Sequence, residues 1–141
     1  MTFIINYWAV LVCGVASMIT GSIWYGPLFG KKWAHIIGAS NMTPEECKKM
    51  QKAAGPLYLI QFLLSLLQAY ILAHFIQAWG DAPAVKTALF IWLGFLMPTV
   101  AAGSMWNNDS AKTSWSRFLI QAVYNLLNLV IFALILGMWK I

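Results

Sequence analysis

The sequence predicts an all-α integral membrane protein, a single domain built as a bundle of four membrane-spanning helices. Three observations lead there. The chain of 141 residues is 61% hydrophobic and only 9% charged, where a soluble domain carries about a quarter charged residues. The charges are segregated: four apolar runs, 4–24, 57–79, 84–106 and 118–139, hold a single charged residue, Lys86, at the edge of the third. Each run is continuously apolar rather than alternating, and each has the roughly 20 residues a helix needs to cross the hydrocarbon core, which favours helices over a barrel.

Orientation follows from the basic residues. The loop between spans one and two carries Lys31, Lys32, Lys48, Lys49 and Lys52, and the loop between spans three and four carries Lys112 and Arg117; the other side has only Lys86 and Lys140. The positive-inside rule places loops 25–56 and 107–117 in the cytoplasm and both termini outside. The basic balance is thereby explained without nucleic acid. The N-terminal run lacks a basic leader and a small-residue cleavage site, so it is predicted to stay as a span. Cys13 lies within span one and Cys47 in a cytoplasmic loop, so no disulfide is expected.

Span one begins at Tyr7-Trp8 and ends at Trp24-Tyr25, amphipathic rings suited to the two interfaces. Between them Ala9, Cys13, Ser17 and Gly21 recur at every fourth position. This puts four small side chains on one face, where another helix can approach closely. Two uses are open for that seam: packing inside the bundle, or a homodimer interface.

Gly26-Pro27 then ends the span. In 28–38, Phe29, Trp33, Ile36 and Ile37 share one face while Lys31, Lys32 and His35 point elsewhere, the pattern of a short helix lying in the inner interface. A second polar helix is predicted over 44–54, with Thr43 as N-cap, Pro44 at its first position and Glu46 closing a capping box. Gly55-Pro56 stops it. A solvated connector and a docking surface for a partner are both compatible with its lysines.

Span two carries Gln61, Ser65 and Gln68 on one face, with His74 and Gln77 toward its outer end. The short turn at 80–83 makes spans two and three antiparallel neighbours. Pro98 in span three removes a backbone donor and predicts a kink that frees the Gly94 carbonyl. The next loop, 107–116, is polar and offers Ser114 or Ser116 as N-cap of span four. Span four places Gln121, Asn125 and Asn128 on one face, the spacing already met in span two.

That echo suggests a duplication. Sliding span four onto span two pairs Gln61 with Gln121, Ser65 with Asn125, Gln68 with Asn128 and Trp79 with Trp139. Span three on span one pairs Gly103-Ser104-Met105-Trp106 with Gly21-Ser22-Ile23-Trp24. The chain then reads as two helical hairpins running in the same direction.

Amides facing lipid cost free energy, so both stripes are expected to face the bundle interior or each other. The simplest role is interhelical hydrogen bonding, worth roughly 0.6–2 kcal/mol each. The functional role is a shallow polar cavity open to the cytoplasm, rimmed by Trp24, Tyr25 and Trp106, in which Gln61, Ser65, Gln68, Gln121, Asn125 and Asn128 bind a small neutral or zwitterionic molecule or a lipid headgroup. No Asp or Glu lies inside any span, which argues against a proton-coupled exporter. A lone His74 is best read as a hydrogen-bonded packing residue. No nucleophile–base pair, metal-ligand cluster or phosphate loop is visible, so neither an enzyme nor a cofactor is expected.

The motif Gly21-Ser22-Ile23-Trp24-Tyr25-Gly26-Pro27-Leu28-Phe29-Gly30-Lys31-Lys32-Trp33, with Trp92-Leu93-Gly94-Phe95 and Pro98 in span three, Tyr124-Asn125 in span four and the closing Trp139-Lys140, resembles a bacterial four-span integral membrane family catalogued as domain of unknown function 1761. Where that family carries an Arg-Pro-Trp-like segment in the third loop, this chain has Ala111-Lys112-Thr113-Ser114-Trp115. The resemblance implies a compact four-helix domain of a bacterial inner membrane and supplies no catalytic residue. Two roles stand beside each other: a protein that binds or passes a small polar or lipidic molecule, working as an oligomer, and an accessory subunit that docks a partner through its basic loop.

Overall fold

The computed structural model describes residues 3–38, 41–106 and 110–139. Its elements are α1 (Tyr7–Ile23), a π-helical turn π1 (Trp24–Leu28), α2 (Gly30–Ile36), α3 (Pro44–Ala53), α4 (Gly55–Ala78), α5 (Ala84–Ile91), a second π turn π2 (Trp92–Leu96), α6 (Met97–Met105) and α7 (Ala111–Met138). Four stretches are long and apolar enough to cross a membrane: Tyr7–Leu28, Gly55–Ala78, Ala84–Met105 and Ala111–Met138. The protein is an integral membrane helical bundle. Below, the end bearing the 1–2 and 3–4 loops is the basic end, and the opposite one the terminal end.

The boundaries have local causes. Asn6 starts α1: its Oδ1 accepts from the Trp8 and Ala9 amides at 3.1 and 3.3 Å, satisfying two of the orphan donors. The capping box of α3 forms as the spacing predicts, with the Glu46 amide donating to Thr43 Oγ1 and the Thr43 amide to the Glu46 carboxylate. Gly55-Pro56 stops α3 as expected, at Ala53 with Ala54 as its C-cap, and also begins α4 at once, because a proline without an N–H fits a first turn. Ser110 caps α7, rather than Ser114 or Ser116, so the final helix takes in most of the loop segment. Residues 107–109 and Lys140 lie outside the described residues.

Pro27 and Pro98 are each accompanied by a π turn. Pro27 sits inside π1, and π2 ends immediately before Met97-Pro98. A π turn takes one extra residue into the helix, which accommodates a missing donor and is itself a common place for a helix to bend. Each turn opens with a tryptophan bonded to α7: Trp24 Nε1 donates to the Ile120 carbonyl at 3.1 Å and Trp92 Nε1 to the Ala122 carbonyl at 2.9 Å. An indole N–H in an apolar layer needs such an acceptor.

The hub is α7, which packs on α1, α4, α5 and α6, while α4 packs mainly on α1. The core is made of small residues on four helices, Ala9 and Cys13, Ala69 and Ala73, Ala88 and Ala133, with Leu72, Leu129 and Phe132 filling between them. The small-residue seam is spent here. Ala9, Cys13 and Ser17 are at most 1% exposed, and a Cβ on Gly21 would lie 2.7 Å from the Tyr124 hydroxyl. The packing use of the seam is therefore realised: Ala9, Cys13 and Ser17 offer no surface to a second copy, and Gly21 is half-buried. The homodimer face expected along Ala9, Cys13, Ser17 and Gly21 is corrected accordingly: every-fourth spacing of small residues announces close approach, not its partner.

Candidate functional site

At the terminal end the chain is tied shut. The Gln77 side chain pairs with the Ile4 backbone through both its oxygen and its nitrogen, and Asn6 Nδ2 donates to the Trp139 carbonyl at 3.0 Å. His74 is a packing residue, its Nδ1 2.9 Å from the Tyr70 carbonyl and its ring edge-on to Phe3 and Tyr70.

The basic end differs. There α4 leaves Leu57, Tyr58, Leu59, Ile60, Leu63 and Leu64 exposed. Over 55–64 only Phe62 is partly covered. Phe62 and Leu66 lie against Gly14 of α1, so this half of α4 is held on one side alone. As a whole α4 meets span three through α5, across the turn at the terminal end, with no comparable packing on α6.

This placement decides the fate of the amides. On α7 they stay inside: Asn128 is buried, and Gln121 and Asn125 are half-buried. They lie on the arc of α7 between Tyr124, whose hydroxyl donates to the Ser17 carbonyl at 3.2 Å, and Ala122, which takes Trp92. That arc is the side α4 occupies. On α4 only Ser65 is buried; Gln61 and Gln68 are exposed. The expectation that both stripes face inward is thus met by α7 and corrected for α4. Gln61 and Gln68 sit roughly 40° and 60° to the same side of Ser65 around the helix, off the buried face of Ser65, Ala69, Leu72 and Ile76. Asn128 Oδ1 is buried with no hydrogen-bond partner, and Gln121, Asn125, Gln61 and Gln68 make no side-chain hydrogen bond among the described residues. The amides therefore do not spend themselves on one another.

The expected rim disperses. Trp106 is 85% exposed. Trp24 and Tyr25 instead enter an aromatic cluster built by the 21–33 motif: Trp24 lies 4.6 Å from Phe29, and Tyr25 lies 5.0 Å from Trp33 and 5.2 Å from Tyr124, ring centre to ring centre. Gly30 makes the fold-back possible, since a Cβ there would meet the Tyr25 carbonyl oxygen at 2.9 Å. Some positions paired by the supposed duplication have unlike surroundings, half-buried Trp24 against exposed Trp106 and exposed Gln68 against buried Asn128, while Trp79 and Trp139 are both exposed. The likeness that the contacts bring out is between Trp24 and Trp92.

The cluster joins Trp24, Tyr25, Phe29 and Trp33 to Tyr124 on α7, so motif residues far apart in sequence form one structural unit. The family model for proteins of unknown function, DUF1761, matches residues 8–137. The chain belongs to that family. No curated protein and no solved structure matches it. The family thus extends over all four spans, and the site must be read from its own chemistry. Among the described residues no three His, Cys, Asp or Glu side chains come together.

Proposed function

We propose that this family member binds a small neutral or zwitterionic lipidic molecule, without enzymatic turnover, between α4 and α7 in the cytoplasmic half of the bundle. The observation that carries the reading is Asn128: a buried carbonyl oxygen without a partner, at the deep end of the α7 amide ladder. An unpaired amide oxygen in an apolar interior is costly, and a ligand hydroxyl or amine would satisfy it. Gln121 and Asn125 extend the same face toward the basic end, and the singly held half of α4 supplies an apolar wall able to admit an acyl chain. Positive-inside placement makes that end cytoplasmic.

The test is the lipid content of the protein purified in polymer nanodiscs, read by mass spectrometry. Asn128→Leu and Asn125→Leu should each lower the occupancy of a co-purifying molecule by about tenfold, the effect of one lost hydrogen bond of roughly 1.4 kcal/mol. Asn128→Leu should also fold at least as well as the native chain. Unchanged occupancy in both variants would rule the site out.

A second reading rests on α3, which buries none of its residues and packs on α4. Its Lys48, Lys49 and Lys52 are exposed and suit an acidic cytoplasmic partner. Reversing all three to Glu would abolish pull-down of such a partner; retained capture counts against docking.

A further inference from the structure

We infer that the aromatic fold-back at the basic end forms a second, separate site, for the anionic phosphate headgroup of an inner-leaflet lipid. A cavity of about 310 Å³ lies between π1–α2 and α7. Trp24, Phe29 and Lys32 line one side, and Ser116, Leu119 and Val123 line the other. It is distinct from the α4–α7 amide face and shares no residue with the proposal above.

The walls are fixed. Trp24 cannot swing away, because its indole donates to the Ile120 carbonyl and its ring packs on Phe29. Those two rings, with Leu119 and Val123, make a hydrocarbon-lined trough. The wall is almost wholly apolar, and besides the bonded Trp24 indole the lining residues that carry a polar side-chain group are Lys32 and Ser116. Lys32 makes no ion pair among the described residues, and no carboxylate lines the cavity.

This chemistry selects an amphiphile. A free anion would gain the ammonium but not the apolar walls, and a sterol-like or wholly apolar molecule would leave the ammonium unused. A phospholipid uses both: its phosphate takes the Lys32 ammonium and the Ser116 hydroxyl, and the first stretch of one acyl chain lies on Leu119 and Val123. Lysine suits the depth, since its stem can lie along the apolar wall while the head reaches the interface. The volume holds a phosphate and a short chain segment, not a whole lipid, so the remainder stays in the bilayer. Lys31, next in sequence, is exposed and does not line the cavity, which provides an internal control.

Thermal unfolding of the detergent-solubilised full chain tests this, with phosphatidylglycerol, phosphatidylcholine or inorganic phosphate added. Phosphatidylglycerol should raise the midpoint by roughly 3–6 °C, and the other two by much less. Lys32→Gln should lose at least half of that rise, and Val123→Trp, which fills the trough, nearly all of it. Lys31→Gln should keep it. An equal rise with phosphatidylcholine overturns the anionic headgroup, and an equal rise with inorganic phosphate overturns the lipid. Equal losses in Lys31→Gln and Lys32→Gln would mean diffuse surface attraction instead of a site. A full rise in Val123→Trp would exclude the trough. If Val123→Trp unfolds on its own, Leu119→Trp fills the same space from an exposed position and is read in its place.

Discussion

Over its terminal half α4 buries Ala69, Leu72, Ala73 and Ile76 among its neighbours; over its basic half the same helix leaves Leu57, Leu59, Ile60, Leu63 and Leu64 uncovered. Hydrophobicity does not separate the two halves, for both are apolar. Side-chain size does. Lipid tails are as apolar as leucine, so helices in a membrane gain little from hiding leucines and much from close backbone approach over small residues. The terminal half offers Ala69 and Ala73 to Ala9 and Cys13. Between Leu57 and Leu64 span two has no small residue at all. The helix is therefore clamped where it is small and released where it is large, and Gln61 on the released half goes with it.

The largest effect should come from emptying the clamped half. Phe132 is fully buried and fills the space between the small residues. Phe132→Ala should cost roughly 2–3 kcal/mol, below the soluble-protein range because the transfer part of the penalty largely vanishes in lipid and the packing part remains. Leu59→Ala, on the released half, should change stability by less than about 0.5 kcal/mol. Reversible unfolding by a denaturing detergent measures both. Comparable losses would erase the distinction between the halves.

Next comes the contact with α1 that holds the released half. A Cβ on Gly14 would lie 2.6 Å from Leu66 Cδ2 and 3.0 Å from the Phe62 ring. Gly14→Val should push α4 outward there at a cost of about 1–3 kcal/mol. Labelling of a cysteine placed at Phe62 should speed up, while one placed at Ala73 should stay protected. Equal protection in the native chain and the variant would mean that α4 is held by something else.

Smaller still is the loss of either indole bond. Trp24→Phe and Trp92→Phe each remove a donor to an α7 carbonyl, and membrane hydrogen bonds average about 0.6 kcal/mol. The Trp24 variant should cost more than the Trp92 variant, because Trp24 also anchors Phe29 and, through the fold-back, α2. The same unfolding assay ranks them, and the reverse order would deny the cluster its anchoring role.

How much of this was legible in the sequence depends on the kind of signal. Four spans followed from run length and charge segregation, because the bilayer imposes both. The α3 cap followed from Thr43, Pro44 and Glu46, whose chemistry is local. The π turns did not: a span of given length reads alike whether one turn bonds to the fourth or the fifth residue, and Pro98 suggested only a kink. The start of α7 was missed because Ser110 and Ser114 are equally good caps on paper; the polar first turns of a helix that emerges from the membrane resemble a loop. The amide stripe of span four was placed correctly, and that of span two was not, because helical spacing tells which residues share a face and not whether a neighbour stands opposite. The signal that could have told was the absence of small residues before Ser65.

Gln68 gives the smallest expected effect on the fold and the sharpest sign. It lies near the middle of α4, exposed and without a side-chain hydrogen bond among the described residues. An amide at that depth is tolerated at a cost, so replacing it by leucine removes a liability. Gln68→Leu should leave stability unchanged or raise it by up to about 0.5 kcal/mol, whereas Ser65→Leu, on the buried face beside it, should destabilise by overpacking. A clear loss of stability in Gln68→Leu would mean that the amide is engaged after all, by a partner helix or a bound molecule. The Gln68 flank of α4 would then be a second packed interface rather than a surface left to lipid.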